Sequence, residues 1–236
     1  MKNQYVGDIN DFRKYGLIRT LLGNDRLTAG VFWLLTPDDG RQDGSRLQYL
    51  NNGNHEGTLD PVLFSKLHNA VHTRRERSVA IIEDMGLLPR TRFVSDLIPD
   101  NATGRSTVFR AGMAQLANCD LIFFDPDNGL EVKSKQLGSK GSNKYLYLNE
   151  VESVFHRGHS LLIYQHFPRE KRPQYIAKRV LQLQQKTSNA VIFSIATNHV
   201  CFFLVAQPRH LRDFQIQVET LRSKWSSAFS ANVHHQ

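Results

Sequence analysis

Two aspartates separated by one proline, Asp125 and Asp127 in CDLIFFDPDNGLEV (119–132), follow directly on four apolar residues. A second acidic pair, Asp38 and Asp39, stands in LTPDDGRQDG after another apolar run, with Asp43 close behind. If the two runs are neighbouring strands, these carboxylates converge, repel one another and raise one another's pKa unless a cation sits among them. Mg2+ or Mn2+ is the cation that such oxygen ligands take, leaving positions for water and phosphate oxygens. A metal so held lowers the pKa of an attacking water and polarises a phosphate. Asp38, Asp39, Asp125 and Asp127 are therefore the expected metal ligands.

Other residues supply the remaining parts of such chemistry. His166, at the end of SLLIYQHFPR, is the expected general acid or base, and Arg169 an expected two-pronged phosphate grip. Asp125 and Asp127 complete the catalytic candidates. Lys140 and Lys144 in GSKGSNKY, with Arg74 and Arg75 in HTRRERS, are expected contacts to a nucleic-acid backbone. Each has a plainer alternative: a turn at Asp127–Gly129, a hydrogen-bonded strand-end histidine, a solvated lysine loop, and arginines that complement a helix dipole. Glu131 and Lys133 add an acid-x-lysine spacing that is common by chance. Near the start, Asp8 is placed to join the acidic cluster and Asp11 to cap the first helix.

Positioning these groups requires an alternating chain. Phe12, Tyr15, Ile18 and Leu22 recur at the helical period, and AGVFWLLT, bulky and unalternating, reads as a strand buried on both faces. Asp60 and Pro61 open a second helix bearing Leu63, Phe64, Leu67 and Val71. RSVAIIED and RFVSDLI read as a weaker strand pair, and Phe109, Met113 and Leu116 as a third helix. CDLIFF and SLLIYQHF are strands, and PQYIAKRVLQLQQ is a helix. AVIFSIATNHVCFFLVAQ reads as a β-hairpin turning at Thr197–His199. Leu211, Phe214, Val218, Leu221 and Trp225 form the stripe of a last helix, and the terminal histidines read as tail. The expected fold is one α/β domain over residues 1–236, with 1–28 a helical segment on the sheet. That sheet is mainly parallel and doubly wound, with helices on both faces and a terminal antiparallel hairpin.

Composition narrows the partners. Thirty Lys and Arg against 22 Asp and Glu leave a net charge of +8, a field that attracts polyanions, so DNA or RNA is the expected partner. No apolar run approaches a membrane span, and the first residues lack the apolar core of a secretory signal, so a cytoplasmic protein without membrane partners is expected. Cys119 and Cys201 sit beside apolar runs and read as small buried hydrophobes.

The order of elements resembles the class I methyltransferase fold. More narrowly, VGDINDFRKYGLIRTLL before the first strand and LIFFDPDNG at the fourth resemble the ribosomal RNA adenine-N6 methyltransferases. In that family the fourth strand ends in Asp-Pro-Pro-Tyr; Asp125 and Pro126 match, whereas Asp127 replaces the second proline and Asn128 the aromatic residue that stacks on the flipped base. LTPDDGRQDG takes the place of the family's glycine-rich cofactor turn. The resemblance implies S-adenosylmethionine as cofactor, with Asp125 contacting the target amine. The departures put metal-dependent phosphodiester hydrolysis first among the expectations, adenine-N6-type methyl transfer second, and a non-catalytic nucleic-acid-binding module third.

Overall fold

The computed structural model describes residues 1–23, 25–40, 44–52 and 55–235. Asp43, named above beside the acidic pair, lies outside the described residues. The strands are β1 (Ala29–Phe32), β2 (Thr91–Val94), β3 (Leu121–Phe124), β4 (Gly129–Leu130), β5 (Tyr145–Leu146), β6 (Ser160–His166), β7 (Val191–Ala196), β8 (Val200–Ala206) and β9 (Ser230–His234). The helices are α1 (Ile9–Leu21), α2 (Gln48–Asn52), α3 (His55–Leu59), α4 (Pro61–His68), α5 (Val79–Asp84), α6 (Ala102–Gln115), α7 (Leu148–His156), α8 (Arg172–Gln184) and α9 (Leu211–Lys224).

Seven strands form one sheet in the order β2-β1-β3-β6-β8-β7-β9, with β4 and β5 a separate parallel pair. β2, β1, β3 and β6 are mutually parallel, and β8, β7 and β9 then alternate in direction. This is a Rossmann-like α/β fold ending in an antiparallel hairpin, as the alternation of apolar runs implies. β1 and β3 are buried at every position, which is why their sequences carry no period-two alternation. Two apolar clusters lie on opposite faces of the sheet. One gathers Phe12, Trp33, Leu63, Phe202 and Trp225, the other Phe32, Met113, Phe124, Val154 and Val180.

Two elements differ from the expectation. VAIIED is helix α5, not a strand: Val79, Ile81 and Ile82 are buried while Glu83 receives the Trp33 indole N–H at 3.0 Å. The short apolar triplet carries no period of its own, so tertiary contacts decide its state. SANVH, to which the sequence reading assigns no element and whose His234 reads as tail, pairs with β7 as the edge strand β9.

The chain runs from β1 outward to β2 and then crosses back to β3, so strand order reverses between β1 and β3. In such sheets the crevice beyond the strand ends at this reversal is where ligands sit. Helix α1 is held over it by close contact with α9. A Cβ on Gly16 would meet the Trp225 ring at 2.2 Å, so the absence of a side chain lets the indole lie on the helix backbone.

Candidate functional site

At the reversal, Asp125 follows β3 with its side chain 4 % exposed. Its Oδ2 accepts from Lys14 Nζ at 2.6 Å, and the same ammonium lies 2.6 Å from Asp11 Oδ1. Asp11 Oδ2 accepts from the Tyr15 hydroxyl at 3.1 Å. The helix cap is Asp8, which accepts from Asn10 N at 2.9 Å. The capping role expected of Asp11 falls to Asp8, and Asp11 instead turns to the site, whose cavity Asp8 also lines. The i, i+3 spacing places Asp11 and Lys14 on one helix face, here the face turned to β3.

Electrostatics follow from burial. Desolvation pushes Asp11 up to about 6, against the pull of Lys14. Burial acts to lower Lys14, but Asp11 and Asp125 more than offset it, and its pKa is raised. Tyr164 is raised by burial and then by Asp125 and Asp11. At neutral pH the Lys14 ammonium therefore bridges two carboxylates.

Asp127 is held separately. Its Oδ2 accepts from Thr36 Oγ1 at 2.8 Å, and its Oδ1 pairs with the α-ammonium of Met1 at 2.8 Å. That ammonium also donates to the backbone carbonyls of Asp125 at 2.8 Å and Leu34 at 3.3 Å. Leu34, just past β1, has φ 45°, a left-handed backbone that is unfavourable for a bulky residue. Two strand-end carbonyls and one carboxylate thus form a buried cradle around an amino group. Thr36 N completes the arrangement by donating to Met1 O at 2.9 Å.

The turn that follows is locked from β6. Gln165 Nε2 donates to Asn128 O at 2.9 Å, and its Oε1 accepts from Leu130 N at 2.9 Å. Gly129 has φ 107°, and a Cβ there would meet the Gln165 amide at 2.4 Å. The glycine of Asp-Pro-Asp-Asn-Gly is therefore a steric requirement. Gln165, unassigned by sequence reasoning, is the residue that shapes the turn.

The expected metal set is not brought together. Asp39 pairs with Lys2, Asp38 Oδ1 accepts from Gln4 N at 3.3 Å, and both aspartates lie on the exposed loop after β1. Among the described residues no group of three or more His, Cys, Asp or Glu side chains is placed to hold a metal ion. The physical reason is that groups of the N-terminal segment answer each carboxylate separately: the Gln4 N–H at Asp38, Lys2 at Asp39, the Met1 ammonium at Asp127, and Lys14 between Asp11 and Asp125. Glu131, the acid of the acid-x-lysine pair, instead accepts from Leu148 N at 2.8 Å at the start of α7.

A cavity of about 480 Å3 opens on these groups, lined by Asp8, Asp11, Lys14, Asp125 and Asp127 together with Tyr5, Arg46, Asn128, Tyr164 and His166. His166 lines this cavity together with Asp125 and Asp127. Arg169 lies in the exposed segment after β6, and Lys140, Arg74 and Arg75 are exposed on other loops. Neither these four nor Lys144 lines this cavity.

No protein-family model matches the chain, and no curated protein matches it. Among solved structures it is similar to the DUF519 protein LPL1258 from Legionella pneumophila str. Philadelphia 1, with a TM-score of 0.46 and 13% identity, covering 97% of each chain. No helix among the described residues is long and apolar enough to cross a membrane.

Proposed function

We propose that the protein transfers a methyl group from S-adenosylmethionine to an adenine-N6-type amine of DNA or RNA. The observation that carries the reading is the amino-group cradle at the strand reversal, formed by Leu34 O, Asp125 O and the Asp127 carboxylate. The Met1 ammonium there stands in for the α-ammonium of an amino-acid ligand. Oxygen acceptors, burial and one compensating negative charge are what such an ammonium requires. The acidic loop after β1 is partly offset, because Lys2 pairs with Asp39. The residues present therefore fit the cofactor's amino-acid end, and binding there requires Met1 to leave.

The cofactor supplies an electrophilic methyl group when bound. Leu34, Asp125 and Asp127 would orient its amino-acid end. The Lys14 ammonium holds the Asp125 carboxylate at 2.6 Å, and a carboxylate oxygen is an acceptor for the target amine. Asn128, which also lines the cavity, offers its side-chain amide oxygen as a further acceptor, and Tyr164 and His166 provide ring surfaces where the family's aromatic clamp is absent. Hydrolysis by a metal-activated water is less well supported, because lysine takes the place that the ion would need.

Calorimetry with S-adenosylmethionine is expected to give micromolar binding that Asp127→Ala weakens about tenfold, the scale of one charge-assisted hydrogen bond. Digestion of treated RNA and DNA should then yield N6-methyladenine by mass spectrometry. Absence of cofactor binding together with Mg2+- or Mn2+-dependent cleavage would reverse the assignment.

A further inference from the structure

A second cavity, of about 540 Å3, lies against the first and plays no part in the chemistry above. Arg13, Arg172, Phe167, Asn198 and Phe229 are among its walls. The two cavities share a ridge: α1 gives Asn10 and Lys14 to one and Arg13 to the other, and consecutive residues of the β6 end, His166 and Phe167, face one each.

That ridge is cationic. Arg13, Arg46, Arg172 and His166 all bear on His199, which is lowered first by desolvation and then by these four. Opposing charge is sparse. Arg13 Nη2 lies 4.0 Å from Glu56, Arg46 Nε 3.7 Å from Asp8, and Arg172 makes no ion pair among the described residues. Arg13 Nε is buried with no hydrogen-bond partner among the described residues. A buried guanidinium N–H without an acceptor is costly, and a phosphate oxygen would satisfy it. The Arg172 guanidinium lies 5.5 Å from the centre of the Phe167 ring, over its face, so charge and a flat apolar surface are presented together. That pairing suits single-stranded nucleic acid, whose bases stack while the backbone is gripped.

We infer that Arg13, Arg46, Arg172 and His199 form a phosphate-binding subsite for single-stranded nucleic acid, with the second cavity receiving the nucleotide that flanks the one presented to Asp125. This rests on the reading of a nucleic-acid substrate and names how that substrate is held.

The test is a salt titration of binding, read by fluorescence anisotropy with labelled single-stranded 12-nucleotide RNA and DNA and the matching duplex. Arg46→Ala and Arg172→Ala are surface changes that should leave the melting temperature unaltered. Each is expected to weaken single-strand binding about tenfold, as expected for one charge-assisted hydrogen bond. Each should also lower the slope of log affinity against log salt by about one phosphate. Arg13→Lys should keep the charge, lose the fork and weaken binding to a smaller degree. Unchanged affinity and slope in both alanine variants would overturn the inference, as would loss confined to the duplex or loss seen only with Lys140→Ala and Lys144→Ala. Calorimetry with S-adenosylmethionine on the same samples separates the two claims. A wild type that binds oligonucleotide through the ridge without binding cofactor keeps this subsite and removes methyl transfer.

Discussion

Asp11, Lys14 and Asp125 occupy the same end of the sheet as Arg13, Arg46, Arg172, His166 and His199, yet the two groups distribute charge in opposite ways. In the first, one ammonium lies 2.6 Å from each of two buried carboxylates. In the second, Arg46, Arg13 and Arg172 all bear on His199 with little acid between them. Residues 11, 13 and 14 of one helix serve both, because successive positions on a helix point to different faces. A closed network holds the fold and poises its own groups, whereas an open one gains energy only when an anion arrives. Function at the first is thus inseparable from stability, and at the second it is separable.

Breaking the closed network should give the largest effect. Lys14→Met leaves Asp11 and Asp125 buried beside each other without a cation, and thermal or urea unfolding should show a loss of about 3–5 kcal/mol, as for one partner of a buried pair. A loss below ~1 kcal/mol would mean the carboxylates find water or another cation. Gly129→Ala comes next. The backbone at φ 107° and the clash with Gln165 should cost roughly 1–3 kcal/mol, and the variant should also weaken S-adenosylmethionine binding, because the turn carries Asp127.

Asp11→Asn sharpens the comparison through pH. Asp11 is raised from 3.8 to about 6, so the folded state holds this proton more tightly than the unfolded chain. Its contribution to stability is fully present below 3.8 and is lost as pH rises through about 6. The melting-temperature difference between wild type and Asp11→Asn should therefore move in the variant's favour from pH 4 to pH 6.5, by at most ~3 kcal/mol in free energy, and then level off. A pH-independent difference would remove Asp11 as a titrating group. The smallest effect belongs to the open group. Arg172→Ala and Arg46→Ala should change stability by less than ~0.5 kcal/mol. A larger loss would show that the ridge is structural.

Much of this arrangement is legible in the chain, and what is not has identifiable physical causes. Strands β1, β3 and β6 and the hairpin announce themselves through bulky runs such as LIFF and SLLI, because burial on both faces favours apolar residues at successive positions. α5 and β9 do not, since VAIIED and SANVH are too short or too polar for either period to dominate, and their state is set by what they pack or pair with. Asp125 is recognisable from its place at the end of an apolar strand. The identity of its partner is not, because Lys14 lies 111 positions away and a sequence lists charges without distances. The same gap makes four aspartates look like a cation site, whereas in the structure the Gln4 N–H meets Asp38, Lys2 meets Asp39, Lys14 meets Asp125 and the Met1 ammonium meets Asp127. The cap falls to Asp8 and not Asp11 because an aspartate suits either task, and three positions decide between a helix start and an inward face. Gln165 offered no signal at all, since its importance comes from the turn it fills.

The contact between Gly16 and Trp225 has a reach beyond its own neighbourhood. It fixes the seating of α1, and α1 alone carries both the ammonium that answers Asp125 and the guanidinium on the ridge. A side chain introduced at position 16, as in Gly16→Val, would lift the helix from α9 and displace both groups at once. A laboratory screening random variants for lost activity would recover such lesions at the α1–α9 seam alongside changes at Asp125 itself. Melting curves would distinguish the two kinds, because only the seam lesions would lower the temperature at which the whole molecule opens.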